Sequence, residues 1–403
     1  MMRINDTALS FTGAADGLAI ELVSTRAGLD ALEADWKDLF ARAGHSSQVF
    51  QDFNWNWHWA NHFLDLDPRS CQLAIVTGRA GGRLAMVWPL VIERVHGLRI
   101  AAWMGEPVAQ YGDVLVEQSP ARMALLRAGW QFLCTHVKPD LARLAKTRAD
   151  AAVAPLLTEL RAISTNPQDA PYLNLASAPT YAAYEERYSS KARKNRRRQL
   201  RRLEEDGVVS VRHLEASAAA GDAVGDVIAM KRAWLQAKGL ISVGLSDRRV
   251  LGFFRSVASD GLRPAGFRMS TLMCGDALAA ASVGFVCRDR IAVHMIAYDL
   301  NFEKAGAGAL LFERAIAANL EDKLAVFDLL APANSYKMEW ADGSVGVDDF
   351  AVPLSLAGRA YTRSYLQFLR PKLKTAFQAL PLSTRRRAGT MFAMARANLS
   401  RSR

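Results

Sequence analysis

The chain has 403 residues, half of them apolar, with 51 Lys and Arg against 40 Asp and Glu. That composition excludes a disordered chain, and the length suggests two domains of about 150–200 residues each. No run of about 18 apolar residues occurs, and the opening MMRINDTALSFTGAADG lacks a secretory pattern, so neither a spanning helix nor export is expected.

Cys71, Cys134, Cys274 and Cys287 form no CxxC pair. Neither a zinc site nor a disulfide framework is expected, no metal ligands cluster, and buried thiols in a cytoplasmic protein fit best. The charge is uneven. After Pro353 there is no Asp or Glu but eleven basic residues, and removing those from 51 leaves 40 basic against 40 acidic in the first 353 positions. A formally neutral body with a basic tail makes nucleic acid an unexpected partner for the protein as a whole.

In chain order, a polar leader over 1–17 precedes a helix over 31–43, with Leu32, Trp36, Leu39 and Phe40 on one face. QVFQDFNWNWHWANHF begins a second helix near Asn54. Strands follow over 71–78, 83–95 and 98–105, the first two joined by a hairpin at Gly81-Gly82. A strand at 111–117, a helix over 121–137, a strand over 141–148, a helix over 154–163 and a strand over 170–176 close a first αβ domain near residue 177. One helix over 180–206 is expected next, capped by Ser177 or Thr180 and ended by Gly207. A strand over 208–215 and helices over 221–239 and 248–260 lead into a three-stranded meander over 267–300, turning at Gly275-Asp276 and Arg288-Asp289. A helix over 308–323 and a strand over 325–332 complete a second domain, 178–356. The order of elements repeats loosely in the two halves, so a duplicated α+β domain is expected.

The stretch IAVHMIAYDLNFEKAGAGALLFERAIAANL carries the clearest chemistry. A strand ends near Tyr298, and small residues lead straight into an amphipathic helix marked by Leu310, Phe312, Ile316 and Leu320. The first amides of such a helix lack internal partners, and with the helix dipole they suit a pyrophosphate, although glycines here also serve simple turns. His294, on the preceding strand, is read as packing.

This run resembles the acetyl-CoA loop of the GNAT acyltransferases, Gln/Arg-x-x-Gly-x-Gly/Ala, with Gly306 and Gly308 matching and Glu303 standing where Gln or Arg is usual. Together with WKDLFARA, GGRLAMVWPLVIERVHGLRIAAWMG, YEERYSSKARKNRRRQLRRLEEDG and AVFDLLAPANSYKMEWADG, in that order, it resembles the CelD/BcsL-type acetyltransferases, which are related to the FemAB transferases. The similarity spans roughly residues 18–356. It implies two tandem GNAT-like domains, each a mixed, mainly antiparallel sheet flanked by helices. It also implies acyl transfer, acetyl-CoA as co-substrate, to an amine or hydroxyl of a sugar or polysaccharide precursor. Ile296, Ala297, Lys304, Gly306, Ala307 and Gly308 would then hold the coenzyme. Tyr336 and Lys337 look like the Tyr/Phe-Lys segment of Fem-type enzymes, and the Lys337 cation would steady the negative charge developing on the acyl oxygen. Asp328 or Glu339 would take the proton.

Arg193, Arg196 and Arg197 of the basic helix suit phosphates of a nucleotide-sugar or lipid-linked acceptor. Trp57 and His58 offer a sugar-stacking platform or plain packing. The tail over 357–403, basic and rich in leucine and aromatics, suits helices lying on an anionic membrane at the inner face of the plasma membrane. Two alternatives stay open: a non-catalytic polysaccharide-assembly or membrane-binding protein, favoured by the acid at Glu303, and a Fem-like transferase using aminoacyl-tRNA.

Overall fold

The computed structural model describes residues 10–13, 18–64, 70–242, 244–260 and 266–399. Most of the expected leader lies outside them, but Ser10–Gly13 is a strand antiparallel to Leu18–Val23. The fold is α+β. Contacts divide the chain into two units, Met1–Asp169 with Val345–Lys374, and Ala170–Ser344 with Thr375–Arg403. No described helix is long and apolar enough to cross a membrane.

In unit 1, the stretch expected as one strand over 83–95 breaks at Pro89. Arg83–Trp88 pairs with Ile75–Ala80 in one sheet, and Leu90–Val95 pairs with Cys71–Leu73 and Leu98–Trp103 in another. Proline has no N–H for a ladder, and a strand turns a corner most easily there. Leu98–Trp103 then runs parallel to Leu141–Arg148, which is antiparallel to Gly343–Pro353. The helix Arg122–Phe132 makes the crossover. Trp88 lies between Trp103 and Trp130 in the core. The expected helix over 154–163 is shorter, Ala154–Glu159, with Ile163–Ser164 extended against Phe350 and Ala351. The first part of the tail is packed structure, since Leu366 is buried with Ile100, Leu141 and Ala351.

Unit 2 contains β1 (Gln168–Asn174), α1 (Tyr181–Glu185), α2 (Ser190–Asp206), β2 (Val209–Glu215), α3 (Ala218–Ala237) and α4 (Arg249–Asp260). Then come β3 (Gly266–Cys274), β4 (Ala277–Cys287), β5 (Arg290–Tyr298), α5 (Ala307–Glu321), β6 (Val326–Asp328), α6 (Ser335–Met338) and α7 (Leu382–Leu399). Strands β2 to β5 are an antiparallel meander, β5 runs parallel to β6, and β6 is antiparallel to β1. Both units therefore follow antiparallel strands with one parallel step through a crossover helix and then an antiparallel partner. That shared order is the structural sign of duplication.

The helix expected over 180–206 is two. Thr180 caps α1 by accepting from the Ala183 amide at 3.3 Å, and Ser189 caps α2 by accepting from the Ala192 amide at 3.2 Å. A second good capping side chain inside the run is what restarts the helix. Helix α5 buries Phe312, Ala315 and Ile316 against Phe327 and Trp340. Each large apolar side chain so buried contributes about 1.5–3 kcal/mol.

Candidate active site

The site grows from the way β5 and β6 part. They pair only from Arg290↔Val326 to Ala292↔Asp328. A bulge at His294 shifts the register between β4 and β5, and bulges of this kind bend a strand. The strand expected over 325–332 stops at Asp328, whose Oδ1 accepts from the Leu330 amide at 2.9 Å, and Leu330 has φ +58°. A leucine in the left-handed region cannot continue a strand, so the chain turns away from β5.

Two ammonium groups take up the backbone acceptors this parting leaves. Lys231, from α3, donates to the Ile296 carbonyl at 2.9 Å. Lys337, from α6, donates to the Leu330 and Pro332 carbonyls at 2.7 and 2.9 Å. Burial pulls Lys231 down to about 8. Lys337 is also near 8, lowered first by burial and further by the charge of Lys231, against the pull of Asp328. Both can hold or release a proton near neutrality, unlike ordinary lysines.

At the mouth of this opening stands the glycine loop. Gly306 caps α5 with φ +75°, in the left-handed region glycine tolerates. The Ala307 and Gly308 amides take no backbone acceptor among the described residues. A Cβ at Gly306 would stand 2.5 Å from Gln199 Nε2, and one at Gly308 would stand 3.0 Å from the Tyr298 ring. Gln199 and the Tyr298 ring crowd both positions, so only glycine fits there, and a backbone without side chains suits the close approach of a pyrophosphate. Glu303 does not oppose that anion alone. It accepts from Lys238 at 2.7 Å and from the Tyr298 hydroxyl at 3.0 Å, and these bonds, the lysine's first, hold its carboxyl below the usual range. Lys304 is exposed beside it.

The other expected residues fall as follows. Ile296 and Ala297 lie on β5 past its pairing with β6, Ile296 offering its carbonyl to Lys231. Tyr336 reaches the Gly308 carbonyl at 3.5 Å and rests edge-on against Phe312. Glu339 is exposed after α6. Asp328 is fully buried, with Oδ2 2.9 Å from Arg290 and Oδ1 on the Leu330 amide. Both oxygens are engaged, so its part is to shape the turn that Lys337 binds. Arg196 is turned inward rather than toward a phosphate. It is 8 % exposed, with its guanidinium 4.5 Å from the Tyr188 ring and 5.0 Å from the Trp340 ring. Position 196 falls with Leu200 and Leu203 on the packing stripe of α2, and the two aromatic faces accept the cation there. Arg193 is half-buried, and Arg197 is exposed, 3.6 Å from Glu185. Trp57 and His58 are in unit 1. Trp57 donates to Asp30 at 3.0 Å beneath Arg26, and His58 is buried against Trp57.

Sequence reasoning missed Lys231 and Gln199. The signal for the first was legible: Val224, Val227, Ile228 and Lys231 share one helical face, and the first three are fully buried. A lysine on an apolar stripe needs a buried acceptor. In unit 1 the connection corresponding to the glycine loop is 104–121, where the buried Asp113 carboxylate itself occupies the Val114, Ala152 and Val153 amides.

Residues 190–338 match the acetyltransferase (GNAT) domain. The crystal structure of FemX is similar at 9 % identity, covering 85 % of this chain and 99 % of that one with a TM-score of 0.56, which shows a shared fold. The C-terminal domain of a putative lysylphosphatidylglycerol synthetase from Agrobacterium fabrum is 11 % identical over 83 % of this chain and 97 % of its own, with a TM-score of 0.49. A tandem GNAT protein from the clavulanic acid biosynthesis pathway is 14 % identical over 83 % and 99 %, with a TM-score of 0.44. No curated protein matches the sequence. The matched stretch lies within unit 2.

Proposed function

We propose that unit 2 transfers an acyl group from acyl-CoA, acetyl-CoA by the resemblance, to an amine or hydroxyl of a sugar or polysaccharide precursor. The observation that carries this reading is the Gly306 cradle. Two open helix amides stand beside strands parted around two lysines of lowered proton affinity. Bound coenzyme would supply the acyl thioester.

The Ala307 and Gly308 amides, with the α5 dipole, would hold the pyrophosphate. Lys238 neutralises Glu303 so that the loop accepts an anion. The ammonium of Lys337, held on the Leu330 and Pro332 carbonyls, would stabilise negative charge developing on the acyl oxygen without reorganising. Lys231 supports the open edge of β5 and, by its own charge, keeps Lys337 poised between protonation states. The acceptor's oxygen or nitrogen bonds to the acyl carbon as the carbon–sulfur bond breaks, and its proton leaves with the thiol.

Calorimetric titration with acetyl-CoA tests this directly. Wild type binds and Gly306→Trp does not; no wild-type binding at millimolar CoA would sink the reading. The exposed Lys191, Lys194, Arg197, Arg198, Arg201 and Arg202 on α2 favour a second reading, an aminoacyl-tRNA donor. RNA binding that weakens steeply with salt, in the absence of CoA binding, would select it.

The basic tail supports placement on an anionic membrane surface. Phe368, Leu369 and Leu373 are exposed alongside Arg370, Lys372 and Lys374. Phe368→Glu with Leu373→Glu abolishes sedimentation with phosphatidylglycerol vesicles; equal sedimentation of both proteins refutes the placement.

A further inference from the structure

Beyond the coenzyme loop, unit 2 carries a cavity of about 420 Å³, half open to solvent, formed by the C-terminal part of α3, the residues after it, and α7. That volume lies within the usual range of small-molecule sites. Leu235 and Ile241 contribute apolar wall, Arg248, Arg385 and Arg386 contribute cations, and no lining residue among those described is acidic. The Arg385 Nε is buried without a hydrogen-bond partner among the described residues, a costly state for a cation that a phosphate would relieve.

A short chain of contacts links the cavity to the coenzyme loop. Arg386 donates to the Ala237 carbonyl, and its charge acts on the neighbouring Lys238. Lys238 holds Glu303, three residues before Gly306. Resting on the acyl-CoA reading above, we infer that this cavity receives the nucleotide end of the coenzyme. The base packs on Leu235 and Ile241, and the 3′-phosphate pairs with Arg385 and Arg248. The second half of the basic tail thereby becomes part of the donor site.

The test compares CoA with 3′-dephospho-CoA, which differ only by that phosphate, by calorimetric titration of the full chain. Wild type binds CoA about tenfold tighter, as expected for a charge-assisted phosphate contact. Arg385→Gln and Arg248→Gln, each checked for unchanged melting, bring the two affinities to within about twofold by weakening CoA alone. Equal wild-type affinities, or a preference that survives both substitutions, overturn the inference and leave the coenzyme reading standing. Binding of neither ligand by wild type overturns the coenzyme reading, and this inference with it.

Discussion

The Lys337 ammonium lies 2.7 Å from the carbonyl oxygen of Leu330, a residue held in the left-handed region by the buried Asp328 carboxylate. The lysine therefore sits on a turn fixed by Asp328 and Arg290 rather than on a free loop. A cation placed this firmly loses little when it acts on developing charge, because its position does not change.

Lys337→Met accordingly lowers acyl transfer by about 10²–10³-fold, the range for losing one preorganised donor to an oxyanion. Affinity for acetyl-CoA stays within about twofold, since the pyrophosphate contacts are elsewhere. Steady-state kinetics paired with calorimetry separate the two effects, and unchanged turnover removes Lys337 from the mechanism.

The pH profile follows from the same group. Lys337 carries its charge below about pH 8 and loses it above. If the ammonium is the working form, kcat falls as pH rises through about 8. In Lys337→Arg the charge persists and the fall disappears, because guanidinium does not titrate there. A wild-type rate that instead climbs through pH 8 identifies the neutral amine as a base.

Gly306→Ala meets two obstacles, the left-handed backbone and Gln199 at 2.5 Å from the new Cβ. The strained backbone alone costs about 1–2 kcal/mol. Adding Gln199→Ala removes the collision but not the strain. Denaturant titration shows partial recovery in the double variant, and full recovery would mean that φ is not the constraint.

Arg196→Lys keeps the charge but loses the flat guanidinium lying on Tyr188 and Trp340. Stability falls by about 1 kcal/mol, and CoA affinity is unchanged. A drop in CoA affinity at constant stability would return Arg196 to the ligand side.

The amino-acid pattern alone determined the α+β class, the meander, the glycine loop and the helix behind it. These rest on local causes: alternation along strands, turn glycines, capping side chains and the 3.6-residue stripe. Signals inside the pattern marked the breaks that the reading passed over, Pro89 and Ser189, because each acts on its own neighbours. Only the tertiary structure decided which groups meet. Lys231 reaches Ile296 across 65 residues and Arg290 reaches Asp328 across 38. The same packing turns Arg196 inward, sets Gln199 over Gly306 and engages both oxygens of Asp328. A local pattern specifies which face of an element is buried but not the partner it is buried against. Chemistry in this unit depends on the partner.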